Sequence, residues 1–204
     1  MNLPNQLTVS RFVLTVFFIW AVFWHFPYND TIALVLFSAA SLTDFFDGQI
    51  ARRRGIITNF GTLMDPLADK ILVCSAFIAL VERSRLNALT PVTVEAPVTV
   101  EAWMVIVIVA RELAITGLRL LAASKNVVLA AERYGKNKTI SQVVAILALL
   151  VMNASAEWPP GLESLFSGWV PTLAKIALWV AVGLTGVSGC VYLWRNRQIY
   201  MSDL

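Results

Sequence analysis

Four aspartates set into an otherwise apolar chain constrain this sequence more than any other feature. They lie in Asp44-Phe45-Phe46-Asp47-Gly48-Gln49-Ile50-Ala51-Arg52 and, past Gly61, in Asp65-Pro66-Leu67-Ala68-Asp69-Lys70. A carboxylate among apolar residues in a membrane costs roughly 3 kcal/mol or more, so it persists only beside a partner or a cation. On a helix, Asp44 and Asp47 share a face that Ala51 and Arg52 continue two turns on, and Asp65 and Asp69 sit one turn apart on a second helix. Two such pairs, joined by a turn with Gly55 and Gly61, would hold one or two divalent cations. All-oxygen donors suit hard ions, which points to Mg²⁺ or Mn²⁺. Helix capping alone accounts poorly for the pattern, because caps do not need the interleaved Gly48, Ala51, Arg52 and Gly61.

Composition sets the class. Of the 204 residues 58% are hydrophobic and only 14% charged, with a mean hydropathy of +0.71. A soluble globule of this size cannot hide that much apolar surface. The expected fold is all-α: one polytopic membrane domain over 1–204, with six transmembrane helices after a short amphipathic interfacial helix over 1–10. The spans are expected at 11–26, 31–52, 62–81, 102–122, 139–154 and 171–194. Pro27-Tyr28-Asn29-Asp30 makes the first two a tight hairpin, with His25 beside it as an interfacial residue. Cys74 and Cys190 sit in apolar stretches without CxxC spacing and read as core residues. Residues 1–11 have no basic region ahead of an apolar run, so no removed leader is expected. The net charge of +3 is small, and no nucleic-acid partner is expected.

Orientation follows from charge. With six spans both termini share one side, and 13 of the 16 lysines and arginines fall there, leaving Arg83, Arg85 and Lys175 opposite. The positive-inside rule then makes that side, with both termini and the aspartates, cytoplasmic. The outer loop carries a tandem hexapeptide, Pro91-Val-Thr-Val-Glu-Ala96 followed by Pro97-Val-Thr-Val-Glu-Ala102. It reads as a duplication tolerated by an exposed loop and is assigned no chemistry. The next outer loop, 158–169, is read as structural, with interfacial tryptophans and proline breaks. Gly183, Gly186 and Gly189 recur every third residue in the last span, which fits close packing within the bundle and in a homodimer equally; a homodimer is expected.

A second constellation is basic. Arg111 lies ten residues into an apolar run, where an unpaired guanidinium is expensive, so it needs an aspartate, Glu112 or a ligand phosphate. Simple neutralisation of the aspartates would also account for it. Arg119 follows eight residues later on the same helical face, and Gly135-Lys136-Asn137-Lys138-Thr139 opens the fifth span, with Gln142 one turn further. Arg111, Arg119, Lys136 and Lys138 would form a phosphate-sized positive pocket.

The spacing D-x2-D-G-x2-A-R-x8-G-x3-D-x3-D is similar to the signature of the CDP-alcohol phosphatidyltransferases, with every fixed position filled. Pro4, Asn5, Thr8 and Arg11, the Arg111–Arg119 segment and the Gly-Lys-Asn-Lys-Thr run resemble the phosphatidylglycerophosphate synthase branch of that family. The resemblance covers most of the chain and fails at the duplicated loop. It implies a bacterial inner-membrane enzyme in which the hydroxyl of an alcohol attacks the lipid-side phosphorus of CDP-diacylglycerol and CMP leaves. It gives metal coordination to Asp44, Asp47 and Asp65, with Asp69 as base and further ligand. It puts Gly48, Ala51, Arg52 and Gly61, with Asn5 and Thr8, against the CDP-lipid. Arg111, Arg119, Lys136 and Lys138 would then hold the phosphate of sn-glycerol 3-phosphate. A neutral acceptor would not need so many cations. Cardiolipin-synthase-like and inositol-phosphate acceptors share the anionic character and stay open, and a divalent-cation carrier is the reading from another class.

Overall fold

The computed structural model describes residues 3–24, 26–54, 59–89, 98–125 and 134–201; within these ranges the side chains of 3–8, 44–54, 59–63, 65–66, 87–89 and 134–137 lie outside the description, as does His25. Among the described residues every regular element is helical: α1 (Leu3–Phe23), α2 (Asn29–Arg54), α3 (Asn59–Leu89), α4 (Ala102–Ser124), α5 (Tyr134–Ser155), α6 (Pro160–Ser167), α7 (Val170–Arg195) and α8 (Arg197–Met201). The six long helices coincide with the six apolar segments of the sequence. Over Lys138–Ser155 and Val170–Arg195 they are long and apolar enough to cross a membrane, and Val9–Phe23 and Asn29–Thr43 are shorter apolar stretches. In α4 the three charges of Arg111, Glu112 and Arg119 interrupt any comparable run.

Several boundaries depart from the sequence reading. The separate interfacial helix over 1–10 does not exist as such, because α1 runs unbroken from Leu3 to Phe23. Pro4 falls in the first turn, where its missing N–H is harmless, and no glycine or proline follows before Phe23. α3 continues past residue 81 to Leu89, since Glu82, Arg83 and Arg85 are good helix formers that extend it beyond the apolar stretch. The loop over 158–169 contains α6, which has a proline in its first turn. Its aromatic residues pack on it: Trp158 meets Phe166 edge to face at 5.1 Å, and Trp169 Nε1 donates to the Leu165 carbonyl at 2.8 Å. The expected α1–α2 hairpin is present. It turns through Tyr28, whose φ of 64° is left-handed and costs on the order of 1 kcal/mol for a residue with a Cβ.

α5 packs on α2, α3 and α7, α1 on α2 and α3, and α4 on α3 and α7. Large side chains such as Phe18, Phe37, Phe77, Ile108 and Ile146 fill one continuous core. Between them, fully buried alanines (Ala21, Ala33, Ala76, Ala145, Ala181 among others) let helix backbones approach. The exterior is as apolar as the core: Leu113, Leu120, Val187 and Trp194 are 65–71% exposed. So greasy an outside on an all-helical bundle is what lipid, not water, would cover.

One end of the bundle is closed by matched polar groups. Glu157, just past α5, accepts hydrogen bonds from the backbone N–H of Asp30 (3.0 Å) and of Thr31 (2.9 Å) and from Thr31 Oγ1 (2.7 Å). It therefore caps the first turn of α2 from the turn that follows α5. Arg83 of α3 pairs with Asp30, and Trp158 Nε1 donates to Thr31 Oγ1. At the same end the second copy of the hexapeptide is anchored. Val98 and Val100 pack into the core, and Val100 N–H donates to Ser84 Oγ at 3.1 Å. The first copy, 91–96, lies outside the described residues.

Candidate active site

The opposite end of the bundle holds the chemistry-bearing residues. Asp69, half-buried on α3, lines two adjoining spaces. The larger, about 470 Å³, is a cleft between α2, α3 and α5 walled by Leu42, Leu72, Val73, Val143 and Leu147, with Asp69 and Thr139 among its few polar groups. Leu147 lies eight residues along α5 from Thr139, so the apolar wall extends about 12 Å away from the polar end. The smaller is a cavity of about 30 Å³ bounded by Asp69, Lys70, Cys74, Glu112, Lys138 and Gln142, with space for about two water molecules.

Around the small cavity, side chains of α4 and α5 meet at Glu112. Its Oε1 accepts from Lys138 Nζ and, at 3.2 Å, from Arg111 Nη1. Lys138 is 4% exposed and Glu112 8%, so the pair is desolvated and each charge depends on the other. Lys70 donates to Thr116 Oγ1, and Thr116 in turn donates to the Glu112 carbonyl at 2.7 Å. Gln142 Nε2 donates to Thr185 Oγ1 at 3.0 Å, tying α5 to α7 directly behind this group. Arg111 Nε is buried with no hydrogen-bond partner among the described residues. The guanidinium of Arg119 lies over the Tyr192 ring, 5.9 Å from its centroid, a cation–π position.

Of the sequence-predicted site residues, Asp69, Arg111 and Lys138 come together. Arg119 stands on the next turns of α4, exposed, on Tyr192. For Asp44, Asp47, Gly48, Ala51, Arg52, Gly61, Asp65, Lys136, Asn5 and Thr8 the backbone is helical, and their side chains lie outside the described residues. That backbone gives the spacing expected of the acidic motif: Asp44 and Asp47 one turn apart on α2, Asp65 and Asp69 one turn apart on α3, the two helices in contact. Among the described residues no three His, Cys, Asp or Glu side chains stand together as a metal group. The donor chemistry of the motif, four carboxylates, fits a hard divalent cation.

Sequence reasoning leaves several of these residues without a role. Lys70 counts there only toward the positive-inside balance, although a lysine next to a motif aspartate within an apolar helix was a usable signal. Glu112 enters only as one of three anions that Arg111 could use; the structure pairs it with both Arg111 and Lys138. Thr116, Thr185 and Tyr192 carry no local signal at all, because their parts depend on how α3, α4, α5 and α7 pack.

The family model described as CDP-alcohol phosphatidyltransferase matches residues 1–187. The CDP-diacylglycerol--glycerol-3-phosphate 3-phosphatidyltransferase of Bacillus subtilis (strain 168) is 40% identical, over 97% of this chain and 96% of that protein. The protein of the same name from Rickettsia bellii (strain RML369-C) is 33% identical, over 98% and 97%. A probable phosphatidylglycerophosphate synthase of Mycobacterium tuberculosis (strain ATCC 25618 / H37Rv) is 35% identical, over 95% of this chain and 81% of its own length. With its acidic motif, its helical bundle and a match over nearly its whole length, this chain belongs to the CDP-alcohol phosphatidyltransferases.

Proposed function

We propose that this protein transfers the phosphatidyl group of CDP-diacylglycerol to sn-glycerol 3-phosphate, giving phosphatidylglycerophosphate and CMP. The observation that carries the reading is the position of Asp69, on the boundary between an apolar cleft and a cationic cavity. The cleft suits the acyl chains of a lipid. The cavity and its surroundings present Lys70, Arg111, Arg119 and Lys138 against the two described carboxylates Asp69 and Glu112. That surplus of cations suits a phosphate monoester, which carries close to two negative charges near neutral pH. The names of the relatives from Bacillus subtilis and Rickettsia bellii describe the same reaction.

In this reading an acceptor hydroxyl oxygen forms a bond to the lipid-side phosphorus, the bond from that phosphorus to the CMP oxygen breaks, and the hydroxyl proton passes to the Asp69 carboxylate. Asp44, Asp47, Asp65 and Asp69 would hold divalent cations, Mg²⁺ or Mn²⁺, which would supply charge neutralisation at the diphosphate and at the leaving phosphate. Arg52 pairs with the diphosphate, while Gly48, Ala51 and Gly61 leave room for the nucleotide and Asn5 and Thr8 meet the CDP-lipid from α1. Arg111, Arg119, Lys136 and Lys138 hold the acceptor phosphate, with Arg111 Nε as a buried donor still to be satisfied. The whole chain acts as one domain. Helices α1–α5 and α7 span the bacterial cytoplasmic membrane, both termini and the site face the cytoplasm, and the protein works as a homodimer.

The test is CMP release from CDP-diacylglycerol by purified protein with Mg²⁺, with and without glycerol 3-phosphate. Release should depend on glycerol 3-phosphate, and Asp69→Asn should lower it by about 10²–10⁴-fold. Release with phosphatidylglycerol or inositol phosphate instead would keep the family and replace the acceptor.

A further inference from the structure

The three glycines of α7 do not play the same part. A Cβ built on Gly183 meets nothing within 4 Å, and one on Gly186 stands 3.7 Å from Val107 Cγ1, an ordinary contact. A Cβ on Gly189 stands 2.7 Å from Arg111 Cγ, 3.5 Å from its Cβ and 3.9 Å from its Cδ. Gly189 is buried, so the aliphatic stem of Arg111 lies directly across the bare backbone of α7. The contact involves the root of the side chain, which cannot swing aside as a flexible tip can. Further out, Nη1 is committed to Glu112 and Nε is buried and unbonded among the described residues. The stem therefore decides where the remaining donors of the guanidinium point.

We infer that Gly189 is the positioning residue of the acceptor site: it admits the Arg111 stem against α7 and so aims the guanidinium at the acceptor phosphate. This rests on Arg111 binding that phosphate, as proposed above. A methyl at position 189 has to push Arg111 Cγ back by about 1 Å to restore ordinary contact. That shift is enough to break a charge-assisted hydrogen bond between guanidinium and phosphate. Gly189 lies two residues beyond the 1–187 match to the family model, so the assignment comes from the packing of α7 on α4 alone.

The experiment measures CMP release by Gly183→Ala, Gly186→Ala and Gly189→Ala against both substrates. Gly189→Ala should raise KM for glycerol 3-phosphate about ten-fold or more, with KM for CDP-diacylglycerol unchanged. Gly183→Ala and Gly186→Ala should leave both unchanged. In an Arg111→Ala background, adding Gly189→Ala should weaken glycerol 3-phosphate no further, read from KM and from its protection against thermal unfolding. A wild-type KM in Gly189→Ala, or a further loss in the double variant, overturns the inference. If Gly189→Ala alone does not accumulate as folded protein, Arg111→Ala/Gly189→Ala should restore the yield, and a double variant that also fails overturns it. A wrong acceptor shows differently: CMP release by the wild-type protein would then ignore glycerol 3-phosphate.

Discussion

The two ends of the helical bundle use charged residues in opposite ways. At the end where α2 begins, Asp30 meets Arg83, and Glu157 meets the backbone donors of Asp30 and Thr31. Each of these charged groups has a fixed protein partner, although the neighbouring Asn29 Nδ2 is buried without one among the described residues, and the result ties α2, α3 and α5 together. At the end where α5 begins, Lys138 and Arg111 share one carboxylate, Lys70 and Arg119 rest on a hydroxyl and a ring, and Arg111 Nε has no hydrogen-bond partner among the described residues. A buried donor left over is expensive, about 1–3 kcal/mol. Such a surplus makes sense where an anionic ligand completes the set, and a balanced set makes sense where only the fold must be held. The charges of the first end are completed on folding, those of the second on binding.

The contrast is sharpest at Lys138. Lys138→Met removes a phosphate donor and leaves Glu112 with Arg111 alone, keeping much of the side chain's volume. KM for glycerol 3-phosphate should rise by about ten-fold to a hundred-fold. Stability should fall too, by less than the roughly 3–5 kcal/mol of a fully orphaned buried charge, because Arg111 still pairs with Glu112. Saturating glycerol 3-phosphate should protect the wild-type protein against thermal unfolding more than the variant. Equal protection in both would erase the functional half of the comparison.

The closed end should respond in stability alone. Glu157→Ala strips the first turn of α2 of its acceptor and should cost about 1–2 kcal/mol, lowering the apparent Tm by about 5 °C. Both KM values and kcat should stay at wild-type levels, since the substitution lies at the far end of the bundle from Asp69. A change in KM for glycerol 3-phosphate in Glu157→Ala would mean that the two ends are coupled and the division drawn above is false.

How legible each end was in the sequence follows from the same physics. A charge inside an apolar helix has few permissible explanations, so Asp69, Arg111 and Lys138 can be recognised one residue at a time, and the helices around them by their apolar runs. Glu157 sits in a polar turn where a glutamate is unremarkable. Its partner Thr31 is 126 positions away in the chain, and only the packing of α5 beside α2 brings them together. Gly189 was visible as a glycine in a spaced series, but the series did not distinguish it from Gly183; Arg111 lying across its Cα does. The unbroken α1 is not legible in the sequence, where the amphipathic punctuation reads as a boundary although nothing after Pro4 prevents a helix from continuing.

The smallest effect is expected from the duplicated hexapeptide, and it tests whether anything at the closed end beyond the matched charges matters. The second copy already supplies what the start of α4 uses: Val98 and Val100 in the core and the Val100 N–H bonded to Ser84. Removing residues 91–96 leaves those contacts and the sequence entering α4 intact. Halving the connection between α3 and α4 changes the entropy of loop closure by about 0.6 kcal/mol. The deletion should therefore leave kcat, both KM values and the apparent Tm unchanged. Deleting 97–102 instead yields the same polypeptide, because the two hexapeptides are identical, so one variant tests both copies. A loss of activity in this variant would give the duplication a role that its sequence does not reveal.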